Sequence, residues 1–481
     1  TGHRPRHNFA SGRIAASGTH GRSAPLMEME ALQIPMLYGR VAIAVAALAH
    51  ALCATFIVGS SVIGSATETI GHVTQNLRFE RLSRLIAFTL ILTTAGISFL
   101  GVTFVFLLNI FWPRFWSQLF HIMFWPLLLE ASFFLAEAIF AYTWYYSWDW
   151  ANQQPARKRW HLVFGWSAAA SSLIAMLMID MVASYMLTPR PPDDTWAKLF
   201  NPTMLYLDTH RIVGNLTWTG FGLAGLCAAG FLRSGGEDDR AFYRWAGGVC
   251  FIIGFGALLI MPAIGYQYLL RVRHIEPQAF YTLMLGARSW LFDLVATLYS
   301  LLVLFGSWYI WRSVRAQPAN DEGGTARLAL PMSLLIVAIA GMILSQPYQL
   351  QHIPGMQILT DRLINPLGKM QPNKYFALAF LVVFGLMNWL FFFRSYANRV
   401  PWWQGQSGSE KESSSPALLI TLALCAMLMM LTMGWARETA RAYNGYLIYG
   451  QVRLEDERST YEGMKTNPGT PDAATRRPVS P

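Results

Sequence analysis

Charge is what this chain has least of. Only 13% of its 481 residues are Asp, Glu, Lys or Arg, where soluble domains carry about a quarter. With 54% hydrophobic and 14% aromatic residues and a mean hydropathy of +0.33, that shortage excludes a string of soluble domains. Paired cysteines are missing too. Cys53, Cys227, Cys250 and Cys425 all fall in apolar runs, so they read as small buried hydrophobes. No C-x-x-C-H is present, which excludes covalently attached c-type haem, and no spacing suggests a zinc site or a disulfide framework. Strand-like alternation is absent, and there is no internal repeat. The net charge of +10 could suggest nucleic acid, but the basic residues sit in short loops between apolar runs, so no nucleic-acid partner is expected.

What is present is a series of apolar runs of about 20 residues or more, each long enough to span about 30 Å of hydrocarbon. Ten can be read: 39–64, 86–111, 122–147, 161–187, 206–232, 243–270, 287–311, 327–346, 373–393 and 416–435. The expected fold is an all-α polytopic membrane protein of about ten transmembrane helices. Three basic residues follow each odd-numbered span, Arg157, Lys158 and Arg159 among them, whereas the alternate loops hold one or two. That bias places both termini on the outer, periplasmic side. Residues 1–38 form a polar, basic extension, expected to be disordered, that lacks the apolar core of a secretory signal; Met27 is a plausible alternative start. Residues 39–435 form the transmembrane domain, interrupted by a proline-broken outer excursion at 347–372. Residues 436–481 continue into a charged, extended tail.

Ionisable side chains inside such runs are expensive and point to function. His50 stands well inside the first run, ten residues or about 15 Å after Arg40. His210 opens the fifth run. Imidazole is a standard axial ligand of haem iron, with a hydrogen-bonded structural histidine as the alternative. His121 and His161, at span edges, read as interfacial. Glu130 and Glu137 lie seven residues apart in the third run, two turns, so both face one side and suggest a proton path or a site-lining pair. Asp180 is a weaker intramembrane acid. Trp435, Glu438 and Arg441 follow the last run, where an interfacial belt is the plain alternative.

Four stretches together resemble subunit I of the cytochrome bd oxygen reductases. Arg40 to His50 is similar to the family's first helix, whose histidine binds a haem of the active-site pair. Pro126 to Asp149 is similar to its P-x-x-x-E…WD helix. LFNPTMLYLDTHRIVG (199–214) matches an F-N-P with a histidine eight residues after the proline. GWARETAR (434–441) resembles its G-W…E-x-G-R box. The resemblance implies His50 and His210 as haem-iron ligands and Glu438 as the carboxylate facing a second high-spin haem, with Trp435 beside it. It also implies Glu130 and Glu137 as the glutamates of the proton route. More than one haem b is implied, with haem d an option, in a multi-pass subunit of the bacterial inner membrane with a second large subunit and small helical partners. Three features differ from the family. The glutamates stand seven rather than eight apart, the loop that usually contributes the quinol site shrinks to 271–286, and the similar box follows an extra tenth span. If Arg288 matches the arginine two residues before the family's methionine ligand, Trp290 fills that place, and Met284 one turn earlier is the substitute. The expected function is therefore oxygen reduction with electrons from quinol or an outer-face cytochrome c. A bd-like electron conduit without oxygen reduction and a proton-relaying transporter are the alternatives.

Overall fold

The computed structural model describes residues 36–191, 194–284, 288–315, 324–346, 372–399 and 416–443. The expected N-terminal extension to residue 35, the excursion 347–371 and the tail from 444 lie outside the described residues. Hydrocarbon offers a peptide group no hydrogen-bond partner, so a chain that crosses it closes its backbone bonds within helices. Every regular element among the described residues is helical.

Two long helices, α1 (Met36–Thr74) and α2 (Leu77–Phe111), form an antiparallel hairpin. The turn uses Gln75 at a φ of 54°, and Asn76 caps α2 by accepting from the Arg78 N–H at 3.0 Å. A short helix, α3 (Pro113–Ile122), precedes α4 (Phe124–Tyr146); α5 (Trp148–Ala151) precedes α6 (Pro155–Leu187). The short α7 (Thr195–Leu199) leads into α8 (Met204–Arg233) and α9 (Glu237–Ile275), and α10 (Pro277–Met284) follows at once. The remainder is α11 (Ser289–Arg315), α12 (Gly324–Leu344), α13 (Pro372–Arg399) and α14 (Pro416–Tyr443).

Nine of the described helices are long and apolar enough to cross a membrane. The eighth expected span, 327–346, is the exception: its apolar part is the shorter segment Ala329–Leu344, in a helix that also contains Pro331. The third expected span starts two residues late, because α3 forms its own helix ahead of it. At 39 residues α1 is about 58 Å long, well beyond hydrocarbon thickness, and its C-terminal end reaches the basic-loop side of the bundle.

The first helix is central. It packs against α2, α6, α8 and α14. Glycines set the closest approaches. A Cβ on Gly220 of α8 would lie 2.4 Å from the Gly254 backbone nitrogen of α9, and one on Gly254 would lie 2.8 Å from the Phe221 nitrogen. Gly434 brings α14 onto α1 in the same way, its Cβ position 2.7 Å from Leu48 Cδ2. The main core lies between α8, α9, α11 and α14 around Phe221, Phe251, Phe255 and Leu302, all fully buried. Cys227 and Cys250 are buried in it and Cys425 lies at its edge; Cys53 is half-buried, and all four are free thiols.

Because backbone atoms stand where a Gly220 side chain would go, relief requires helix separation rather than a rotamer change. Gly220→Ala should cost about 2–3 kcal/mol, the upper range for overpacking, read as a lower unfolding midpoint in detergent. An unchanged midpoint would contradict the close α8–α9 contact.

Candidate haem-binding and proton-carrying site

His50 lies mid-way along α1 against α2. The Cβ position of Gly101 is 3.3 Å from His50 Cε1 and 3.4 Å from Nδ1, so any larger residue there would press on the imidazole. Phe104, one turn on, stacks at 6.3 Å between ring centroids. Its Nδ1 is buried and has no hydrogen-bond partner. A buried imidazole nitrogen with its bonding capacity unspent is costly unless something outside the protein chain engages the ring.

His210 sits near the start of α8. Gly265 of α9 faces it, with its Cβ position 3.7 Å from His210 Cδ2 and Nε2, and Tyr268 packs at 5.9 Å between centroids. Arg211 is within electrostatic reach of both imidazoles, and Arg437 within reach of His210. Among the described residues no three His, Cys, Asp or Glu side chains converge as a metal-ion cage. Each histidine is a single imidazole beside a glycine, which suits iron held mainly by a porphyrin with one or two protein ligands. The donor set, single imidazoles rather than a cage, therefore fits haem.

The carboxylates of α4 lie at the same depth. Tyr142 OH donates to the Ile91 carbonyl at 3.4 Å, which registers α4 on antiparallel α2. At about 1.5 Å per residue along both helices, Gly101, and with it His50, falls between the levels of Glu137 and Glu130. Glu137 is 3% exposed and its Oε1 has no partner; Glu130 is half-buried.

The expected C-terminal contributors are more spread out. Gly434 touches α1 at Leu48, which brings the start of the GWARETAR box near His50, with Glu438 about one turn further along α14. Glu438 lies 3.4 Å from Arg437, and Trp435 is 46% exposed with its ring edge-on to Trp290 at 5.2 Å. Arg288 is an exposed turn residue whose carbonyl accepts from Leu291 N–H. Met284 packs at the end of α10 with Leu187, Val272 and Phe280, a cluster that Tyr268 also joins.

Two readings of the sequence need correction. His161 is not interfacial: it is fully buried, because α6 begins before the membrane-spanning stretch and carries the ring into the interface with α1. Lys158, counted among loop charges, is 6% exposed for the same reason. Both surround Glu68, which the sequence reading passed over. Lys158 Nζ donates to Glu68 Oε1 at 2.8 Å, Trp144 Nε1 donates to Oε2 at 2.6 Å, and His161 Nε2 lies 3.1 Å from Oε1, within ion-pair range but off hydrogen-bond alignment. Helical phase was the available signal. Glu68 lies eighteen residues after His50, about five whole turns, so the two share a face of α1. Asp180 is fully buried and ion-paired to Arg211, with Asp208 of α8 also buried nearby.

Long apolar helices, two histidines each beside a glycine and a buried glutamate near the level of His50 are features of a redox-cofactor subunit of a membrane. The family model described as cytochrome bd terminal oxidase subunit I matches residues 38–284, just over half of the sequence, and the chain belongs to that family of haem-containing subunits. It is thus a multi-pass bacterial membrane protein of the oxidoreductase class. A solved structure of bd oxidase from Geobacillus thermodenitrificans shares its fold at 17% sequence identity and a TM-score of 0.52, covering 76% of this chain and 99% of that one. No curated protein matches.

Removing one partner of a buried ion pair leaves an uncompensated charge. Asp180→Ala should therefore lower stability by about 3–5 kcal/mol in unfolding of the purified protein, and adding Arg211→Met should recover most of the loss. Equal instability of the single and double variants would contradict the pairing.

Proposed function

We propose that this chain is the catalytic subunit of a bd-like terminal oxidase that reduces oxygen to water. The observation that carries the reading is His50, a half-buried imidazole on α1 whose buried Nδ1 no hydrogen bond engages, level with the two α4 glutamates. His50 and His210 would each hold a haem iron. Bound haem, of b type at both or of d type at one, supplies electron carriage and oxygen reduction. The chain's own work is then ligand placement, exclusion of water and proton delivery. Glu137, buried with an unpartnered oxygen, and Glu130 at the next two-turn position form the route that carries protons to the level of His50. Glu438 on α14 is the candidate carboxylate for a second high-spin site, with Trp435 beside it. Arg288 and Met284 are candidates toward the haem on His210. A second large subunit and small helical subunits would cover the exposed apolar faces of α2 and α4, where Leu92, Phe99, Val102 and Leu135 stand out among lipid-facing residues.

A second reading is an electron conduit that passes electrons between outer-face partners and the quinone pool without oxygen reduction, and one observation bears on how either reading engages quinone. Only Glu276 separates α9 from α10, and α10 ends at Met284, five residues before α11, so the connection that would shape a quinol site is short. In the oxidase reading the same feature favours an outer-face cytochrome c over quinol as donor.

Spectroscopy separates the two. A pyridine haemochrome spectrum should show at least two haems, and the reduced protein should bind CO. His50→Ala should lose the CO-binding signal and His210→Ala the six-coordinate one. Reduced protein whose haems all refuse CO would leave only the conduit, and retention of the full haem complement in either variant would refute that ligand assignment.

A further inference from the structure

A polar seam runs between α1 and α6, apart from the α4 glutamate face, and none of the roles above uses it. On α1, Ser61 and Glu68 fall within about 20° of the His50 direction, and Ser65 within about 60°. Opposite them on α6 are His161, Gly165 and Ser172. Ser61 Oγ and Ser172 Oγ are 2.8 Å apart. The Cβ position of Gly165 is 3.0 Å from Ser65 Oγ, so glycine there leaves the hydroxyl in contact with open backbone. Ser65 is 1% exposed and Ser60 fully buried, yet neither hydroxyl has a hydrogen-bond partner. Buried hydroxyls with unspent bonding capacity are sites for bridging water, and each can accept and donate at once. Beyond Ser172 the polar groups continue at the junction with α8: Asn215 Nδ2 reaches Met176 Sδ at 3.2 Å, and Asp180 with Arg211 follows one turn on.

At the basic-loop end the seam opens into an acid–base cluster. Glu68 accepts from Lys158 and Trp144, and His161 lies against it. His161 Nδ1 is 2.8 Å from Ser147 Oγ. Lys158 also reaches Glu80 of α2 at 3.3 Å, and the Glu80 side chain is 21% exposed, so the cluster has a wet edge. The titratable groups facing Glu68 are Lys158 and His161 from α6 and, through Lys158, Glu80 from α2. Trp144 and Ser147 from the α4 end carry no charge, and Arg84 pairs with Asp149 in solvent.

We infer that this seam is a second proton-input route, in which Glu80, Lys158, His161 and Glu68 collect protons at the basic-loop face and the Ser65–Ser61–Ser172 hydroxyls pass them toward the level of His50. At each hop one O–H or N–H bond forms as the next breaks, and nothing along the seam changes oxidation state. The proton that arrives compensates an electron taken up at the redox site, so the inference rests on a redox centre near His50. Glu68, His161 and the serines are positioning residues for that proton.

The test is photoreduction of the haem-loaded protein in phosphatidylcholine vesicles, with a pH dye reporting proton uptake from the basic-loop side. The serine pair is small, so Ser61→Ala/Ser172→Ala should keep wild-type haem content and unfolding midpoint while proton uptake slows at least tenfold. Glu68→Gln should slow it similarly and flatten its pH dependence. Uptake at the wild-type rate in the serine variant, or no uptake in wild type, overturns the route. Slow uptake in Glu68→Gln alone, with its midpoint lowered and the serine variant normal, also overturns it and leaves Glu68 as a structural ion-pair partner. A CO spectrum of the same samples keeps the two claims apart: wild type without CO binding refutes oxygen reduction, while the dye signal still decides the seam.

Discussion

In this bundle every charge or polar group withdrawn from water must find a partner, and the structure depends on how that requirement is met. Backbone groups meet it by helix formation throughout the described segments. Side chains meet it in two ways. Glu68 with Lys158 and Trp144, and the Oδ1 of Asp180 with Arg211, are satisfied inside the chain. His50, Glu137 and the Ser60 and Ser65 hydroxyls are not, although each is at least partly withdrawn from solvent. The satisfied groups hold helices together, and the unsatisfied ones mark where cofactor, water or protons belong. The division falls along α1, which carries His50, Ser61, Ser65 and Glu68 on one side and contacts four other long helices.

Much of this was legible in sequence because lipid simplifies the code. Runs such as 39–64 need only length and apolarity to be read as spans, and nine of the ten expected spans recur as membrane-length helices. His50 and His210 were legible because an imidazole in such a run stands out. Glu68, Lys158 and His161 were not. They lie near helix ends, where charge is ordinary, and their burial follows from helices that extend well past the hydrocarbon and pack there. The pairing of Asp180 with Arg211 joins residues thirty-one apart on different helices, which no local pattern reports. The wide scatter of Glu438, Arg288 and Met284 has a similar origin. Glu438 came from analogy with a box on a different span, and Arg288 and Met284 from an arginine–methionine spacing that this chain does not keep, so the surroundings of each depend on how α14 and α10 pack.

The family match covers residues 38–284, from α1 through α10. The first half, with α1, α2, α4, α6 and α8, holds the residues proposed as ligands and proton carriers, His50, His210, Glu130 and Glu137. The second half supplies α14, which closes on α1 at Gly434 and on α8 at Gly225, where the Cβ position is 2.6 Å from Ala423 Cβ. Glycine at 434 and 225 thus leaves room for the Leu48 and Ala423 side chains where α14 meets α1 and α8.

The central claim is that α1 holds iron at His50. An experimental density map of the purified, haem-loaded protein tests it most directly. The account predicts one iron within bonding distance of a His50 ring nitrogen and a second within bonding distance of His210. A map in which both porphyrins sit away from α1, with the His50 ring hydrogen-bonded to a neighbouring helix, would contradict it.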